Sequence, residues 1–172
     1  MELWDIITAD GSPTGRTMVR GANTLKSGEY HLVVHIWVVS PDGKILIQRR
    51  SDTKKLMPGE WAATGGAAIS GEDSFTAAQR ELFEELGIMS DKTTLKKALR
   101  LKRRNSLLDI WFIKSDVDTS KLKLQESEVA EAKWVTAEEL KEMVKNEEFH
   151  NYGNEYFVRV FDIISQVKGA TV

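Results

Sequence analysis

The stretch His31-Leu-Val-Val-His35-Ile-Trp37-Val-Val39 is apolar along almost its whole length. In an extended chain successive side chains point to opposite sides. One face therefore carries His31, Val33, His35, Trp37 and Val39, and the other carries Leu32, Val34, Ile36 and Val38. A strand that is apolar on both faces belongs in the middle of a sheet whose two sides are both covered. Pro41-Asp42-Gly43 follows, a turn in which proline presets φ and glycine allows positive φ. Lys44–Arg49 then reads as the returning strand of a hairpin.

The rest of the chain supplies what such a sheet needs. Leu95–Leu101 and Leu107–Ile113 read as strands joined by the basic turn Lys102-Arg103-Arg104-Asn105, and Val129–Val135 as another. A helix is predicted over about Asp73–Leu86, where Phe75, Ala78, Leu82 and Leu86 share one stripe. Gly87 is its natural stop. Thr136 and Glu139 have capping-box spacing ahead of a helix over Ala137–Lys145. The last helix, about Tyr152–Val167, places Phe157, Val160, Phe161 and Ile164 on one side. Strands mixed with a few helices imply an α/β or α+β fold, a sheet covered by helices. Ahead of this body, Trp4–Ile7 and Met18–Gly21 flank the turn cluster Gly11–Gly15, so residues 1–29 read as a β-hairpin extension and residues 30–172 as the main domain. An exposed hairpin strand invites pairing with a second copy, hence a homodimer.

Composition narrows the function. The chain has 172 residues, 24 Lys and Arg against 26 Asp and Glu, and no cysteine. Lack of cysteine excludes a disulfide scaffold, thiolate zinc sites, iron–sulfur clusters and a cysteine nucleophile. A formal charge of −2 argues against nucleic-acid binding by bulk charge. No apolar run approaches the ~20 residues that span a bilayer, and the first residues carry acids without a basic n-region. A cytoplasmic protein with no membrane partner is expected.

The chemistry concentrates in Gly66-Ala-Ala-Ile-Ser-Gly-Glu72-Asp-Ser-Phe-Thr-Ala-Ala-Gln-Arg80-Glu81-Leu-Phe-Glu84-Glu85-Leu-Gly87-Ile88. Glu81, Glu84 and Glu85 are related by i, i+3 and i+4, so their carboxylates project from one helix face. Like charges at that spacing cost a helix about 0.2–0.5 kcal/mol per pair, a sign that a divalent cation reverses. Hard carboxylate oxygens suit Mg²⁺ or Mn²⁺ rather than zinc. Arg80 is able to hold a carboxylate by a bidentate bond. Glu72, at the helix start, is favoured by the macrodipole and within reach of Arg80 or of the metal. Alone, E-x-x-E-E is more often a solvated acidic face, because Glu is a common helix former. The wider pattern, G-x5-E-x7-R-E-U-x-E-E-x-G-U with U aliphatic, is matched throughout, and its chance occurrence in such a chain is on the order of one in ten million from residue frequencies.

That pattern is the signature of the Nudix hydrolase superfamily, which the chain resembles over roughly Tyr30 to Phe161. The resemblance implies an α/β/α sandwich with a mixed sheet between helices. It also implies Mg²⁺- or Mn²⁺-dependent hydrolysis of a diphosphate linkage in a nucleoside diphosphate derivative by metal-activated water. By position, Glu81, Glu84, Glu85 and the carbonyl of Gly66 match the metal ligands, and Arg80 and Glu72 match orienting residues. Which carboxylate takes the proton from water stays open. Some members use a downstream glutamate, and Glu126 and Glu128 stand where one would be.

Upstream, Arg50-x4-Lys55 and Pro58-Gly-x-Trp61 resemble the branch related to isopentenyl-diphosphate isomerase. Arg50 and Lys55 would suit a diphosphate, one as a fork-shaped donor and the other as a point charge. His31 matches a metal-binding histidine of that isomerase. The isomerase also needs a cysteine where this chain has Gly65 and a histidine where it has Ala67, so isomerisation is not expected. His31 and His35 are expected to pack in or beside the sheet instead. A non-catalytic nucleotide sensor is the remaining alternative. Trp61, Trp111 and the 102–104 turn are candidates for stacking a base or touching phosphate.

Overall fold

The computed structural model describes residues 2–22 and 24–169. In chain order it contains β1 (Leu3–Thr8), β2 (Pro13–Val19), β3 (Glu29–Val39), β4 (Ile45–Arg50), β5 (Trp61–Ala62), β6 (Thr64–Ala67) and helix α1 (Ser74–Leu86). Then come β7 (Leu95–Lys102), β8 (Ser106–Lys114), a short 3₁₀ turn (Thr119–Lys121), β9 (Val129–Val135), α2 (Ala137–Lys145) and α3 (Asn154–Gly169). The nine strands form one mixed sheet.

β3 is the central strand that its two apolar faces predict. β8 runs parallel to it from His31↔Ser106 to Val39↔Lys114. Its other edge is shared: β6 pairs antiparallel over Val33–Ile36, and β4 over Val38–Val39. Because β4 meets β3 over only two residues, it diverges to pair with β9 from Ile45↔Val135 to Arg50↔Val129. The space opened by this divergence lies beside β6.

Both faces of β3 are covered by helices. Trp37 and Val39 pack with Ile45, Ile47 and Ile110 against Leu140 and Met143 of α2 and Tyr156, Phe157, Val160 and Ile164 of α3. Val34, Ile36 and Val38 pack with Leu46 against Ala77, Ala78, Leu82 and Leu86 of α1. This is an α+β fold with α1 on one side of the sheet and α2 and α3 on the other.

Most local expectations hold. Asp73 caps α1, accepting from the Thr76 N–H, and Gly87 ends it with φ 71°. The Thr136–Glu139 capping box is fully formed. The N-terminal hairpin differs in detail, since β2 starts at Pro13 rather than Met18. The turn closes earlier because Asp10 accepts from Thr8 and Ser12 side chains and from the Ser12 N–H, leaving Pro13 to open the strand. β5 and β6 are too short and too small in side chain to have a visible period in the sequence. β1 pairs with β3 at Ile7↔Tyr30 and Thr8↔Glu29, so the hairpin extends the sheet.

Candidate active site

A cavity of about 450 Å³ opens where β4 leaves β3. Its lining includes Gly65, Gly66 and Ala67 of β6, Arg80, Glu81, Glu84 and Glu85 of α1, and Arg50 at the end of β4. Arg103, Glu128 and Tyr152 close it from later segments, and Trp4 and Arg20 from the N-terminal hairpin.

The three glutamates differ although they share a helix face. Glu85 is only 3% exposed. Its Oε2 accepts from Gln48 Nε2 at 2.9 Å and from the Gly65 N–H at 3.1 Å. Thr64 Oγ1 donates in turn to Gln48 Oε1 at 3.1 Å, which fixes the amide's orientation. Burial, and then the charge of Glu81, push the Glu85 carboxyl up to about 8. Burial also raises Glu81, with Arg80 opposing the shift. Glu84 is the exposed member, its side chain 47% accessible.

Arg80 ties the group together. Its Nε and Nη2 grip both oxygens of Glu72 at 2.7 and 2.9 Å, its Nη1 donates to Glu81 at 2.8 Å and Glu84 at 3.1 Å, and Nη2 also donates to the Ala67 carbonyl at 3.2 Å. Glu72 in turn accepts from the Ile69 N–H at 3.0 Å. The loop between β6 and α1 is held from outside as well: Asp5 of β1 accepts from Ser70 Oγ and the Gly71 N–H, and the Ser70 N–H donates to the Leu3 carbonyl. The N-terminal hairpin thereby braces the segment that carries the carboxylates.

Two glycines make the close packing feasible. A Cβ on Gly65 would lie 2.1 Å from the Val34 carbonyl oxygen, at φ +148°, so no cysteine fits at this position. A Cβ on Gly66 would lie 2.5 Å from Glu81 Oε1. The backbone at Gly66 is thus pressed against the partly buried carboxylate of Glu81.

The two downstream acids take different places. Backbone bonds from Lys123 N to Leu86 O and from Gln125 N to Glu85 O tie the following segment to the end of α1. This brings Glu128 to the cavity, where it pairs with Lys54. Glu126 lies instead in a shallow cleft with Leu122, Leu124, Val129 and Ala130.

Other candidates separate in the same way. Arg50 lines the cavity and its Nε donates to the Leu56 carbonyl at 3.1 Å. Lys55 is exposed and outside the lining. Trp111 lies on the α1 side, donating to Ser74 Oγ, and Trp61 sits under Lys133 Nζ at 4.2 Å, so neither lines the cavity. Of the basic turn, Arg103 alone does. His31 stacks on Trp4 with ring centres 4.5 Å apart. His35 is held neutral by burial, near 3, and bonds through Nδ1 to the Tyr156 hydroxyl at 2.8 Å. Gln48, Tyr152 and the hairpin residues have no pattern to mark them, although Gln48 directly follows the apolar run Ile45–Ile47.

The NUDIX domain family model matches residues 29–158. The chain belongs to the Nudix family. An uncharacterized Nudix hydrolase of Listeria monocytogenes, lmo0368, is 40% identical over 153 residues, covering 88% of this chain and 90% of the relative. Among solved structures, DR0079 from Deinococcus radiodurans superposes with a TM-score of 0.75 at 20% identity, covering 96% of this chain and 99% of the other. The NUDIX domain of Shewanella oneidensis NrtR, solved with ADP ribose, superposes with a TM-score of 0.60 at 14% identity, covering 77% and 87%. At such identities the structural matches establish the shared Nudix fold. The protein is a Nudix hydrolase, an enzyme of the pyrophosphohydrolase class.

Nudix hydrolases generally use divalent metal ions, and the donors present fit one. Burial raises the carboxyls of both Glu81 and Glu85, the charge of Glu81 adds to the shift of Glu85, and a backbone segment without a side chain lies against Glu81. Among the described residues no three His, Asp or Glu side chains are already gathered about one point. Their oxygens are turned instead to Arg80, Gln48 and Gly65. No helix among the described residues is long and apolar enough to cross a membrane.

Proposed function

We propose that the chain is a Mg²⁺- or Mn²⁺-dependent hydrolase that cleaves a diphosphate linkage in a nucleoside diphosphate derivative. The observation that carries this reading is the pair Glu81 and Glu85, one partly and one fully buried, both raised by burial and packed beside Gly65 and Gly66 in an open cavity. In this proposal Glu81, Glu84, Glu85 and the Gly66 carbonyl hold the cations. When bound, these neutralise phosphate oxygens and lower the pKa of water.

The chain's own residues do the rest. Gln48 and the Gly65 N–H orient Glu85, and Arg80, locked to Glu72, fixes Glu81 and Glu84. Glu128 is the downstream acid that lines the cavity, which favours it over Glu126 as proton acceptor. Arg50 offers a fork for a phosphate group, whereas the exposed Lys55 is left without a place in the proposal. Residues 1–29 serve as an extension that walls the cavity with Trp4 and Arg20. A homodimer through the exposed edge of β2 and a cytoplasmic setting belong to the same proposal. A monomer mass by light scattering would end the first.

The test is a panel of nucleoside diphosphate derivatives and dinucleoside polyphosphates with Mg²⁺ or Mn²⁺, with products resolved by chromatography. ADP-ribose is a first member, since the similar Shewanella domain was solved with it. Turnover that is lost in a Glu84→Gln, Glu85→Gln double variant supports the reading, and turnover that persists unchanged sinks it. Tight binding without turnover across the panel would favour a sensor.

A further inference from the structure

The cavity has two unlike walls. α1 supplies carboxylates from one side of the sheet, while Tyr152, Tyr156 and His35 belong to the side covered by α3. Arg103 stands on this second wall. Its backbone N–H donates to the Ser106 carbonyl at 2.8 Å and closes the turn between β7 and β8. Its guanidinium carbon lies 5.7 Å from the ring centres of both Tyr152 and Tyr156.

Those rings are a fixed platform. The Tyr152 hydroxyl accepts from the Ala63 N–H at 3.3 Å. The Tyr156 hydroxyl accepts from Trp37 Nε1 at 3.0 Å and shares a hydrogen bond of 2.8 Å with the neutral His35 Nδ1. These bonds hold the rings in place, and the platform brings no carboxylate to Arg103.

Arg103 differs from the two cavity arginines that carboxylates hold. Arg20 is paired with Glu2, and Arg80 with Glu72, Glu81 and Glu84. Arg103 Nη2 is buried and has no acceptor among the described residues. An arginine stays charged, and a buried N–H without an acceptor is costly. A guanidinium lodged over aromatic faces at the cavity wall, with one buried N–H lacking an acceptor, matches the planar recognition of phosphate.

We infer that Arg103 is a substrate-anchoring residue, whose fork takes a phosphate group of the substrate from the wall opposite the glutamates. The inference rests on this cavity being the substrate site. To the cation-bridged contact with the α1 carboxylates and the fork of Arg50 it adds a direct hold at Arg103. It also gives the basic turn between β7 and β8 a role through one of its three cations.

The experiment is calorimetric titration of inorganic pyrophosphate into the full chain in EDTA, with wild type, Arg103→Gln and Arg103→Lys. Removing the cations leaves the direct contact as the one read. Arg103→Gln is expected to weaken binding about tenfold or more, the size of a lost charge-assisted hydrogen bond. Arg103→Lys keeps a charge over the rings but lacks the fork, and is expected to fall between the two. It carries the test if Arg103→Gln does not fold. Equal affinity for wild type and the folded variants would overturn the inference, as would wild type that binds no pyrophosphate. A panel without turnover, combined with Arg103-dependent pyrophosphate binding, would sink the hydrolase reading and leave the anchor standing. Turnover indifferent to Arg103 substitution in both KM and kcat would do the reverse.

Discussion

A methyl group on Gly66 would lie 2.5 Å from Oε1 and 2.8 Å from the carboxyl carbon of Glu81. The β6 backbone and the α1 carboxylate are therefore in contact only because residue 66 has no side chain. Gly66→Ala must push Glu81 away or shift β6. A misplacement of about 1 Å at a reacting centre costs on the order of a hundredfold in rate, and a loss of about that size is expected. The Mg²⁺ concentration for half-maximal turnover should rise with it. An unchanged Mg²⁺ midpoint in a folded variant would show that this contact does not matter to the site.

Arg80→Lys keeps a positive charge but removes the fork that holds both oxygens of Glu72 and reaches Ala67, Glu81 and Glu84 together. A lysine offers one point of contact. Partners that orient metal ligands typically carry 10–100-fold in affinity or activity, so a fall of about that size is expected, chiefly in kcat. Steady-state kinetics with Mg²⁺ held saturating separates this from weaker metal binding. Wild-type kcat in the variant would contradict the assigned role.

His35 sets a pH dependence of stability. Burial, and then the nearby Arg103 charge, lower its pKa to about 3, against about 6.5 in an unfolded chain. The folded state holds the ring neutral, so the unfolded state binds the extra proton below 6.5. Stability from this group is fully present above pH 6.5 and is lost as pH falls toward 3, by at most about 1.4 kcal/mol per pH unit. Urea unfolding at pH 7, 6, 5 and 4 should show the slope. His35→Gln should flatten it while keeping an acceptor for Tyr156. An identical slope in that variant would place the effect elsewhere.

Asp109 is fully buried in β8. Burial alone would raise its carboxyl, but Arg100, bonding through Nε and Nη2 at 2.6 and 2.8 Å, and Lys97 at 2.6 Å hold it below the usual range. Lys97→Ala or Arg100→Ala leaves one cation in place, and each should cost about 1 kcal/mol. The double variant strands a buried carboxylate and should cost about 3–5 kcal/mol, more than the sum of the singles. Chemical denaturation of all four proteins reads the coupling. Simple additivity would mean that water replaces the cations at little cost.

Much of this molecule was legible before any coordinates. The two apolar faces of β3, the stripe of Ala78, Leu82 and Leu86, the Thr136–Glu139 box and the stop at Gly87 are local properties, written in a period of two or of 3.6 and in single-residue φ preferences. The one-face projection of Glu81, Glu84 and Glu85 is equally local, and the spacing around them was enough to point to the Nudix family. Local rules could not say that these three acids live in different surroundings. Glu85 is sealed beside Gln48 and Gly65 while Glu84 faces solvent, because β4 and β6, placed together by their pairing in the sheet, close over one end of the row and not the other. The same holds for Lys54 meeting Glu128 where Lys55 does not line the cavity, for Trp111 ending on the α1 side, and for Trp4 and Arg103 arriving at one cavity from strands about a hundred residues apart. Helices and strands follow from steric and periodic preferences within a few residues. Which side chains meet in the cavity follows from the long-range register of β3 with β6 and β8, and that register exists only once the chain has closed on itself.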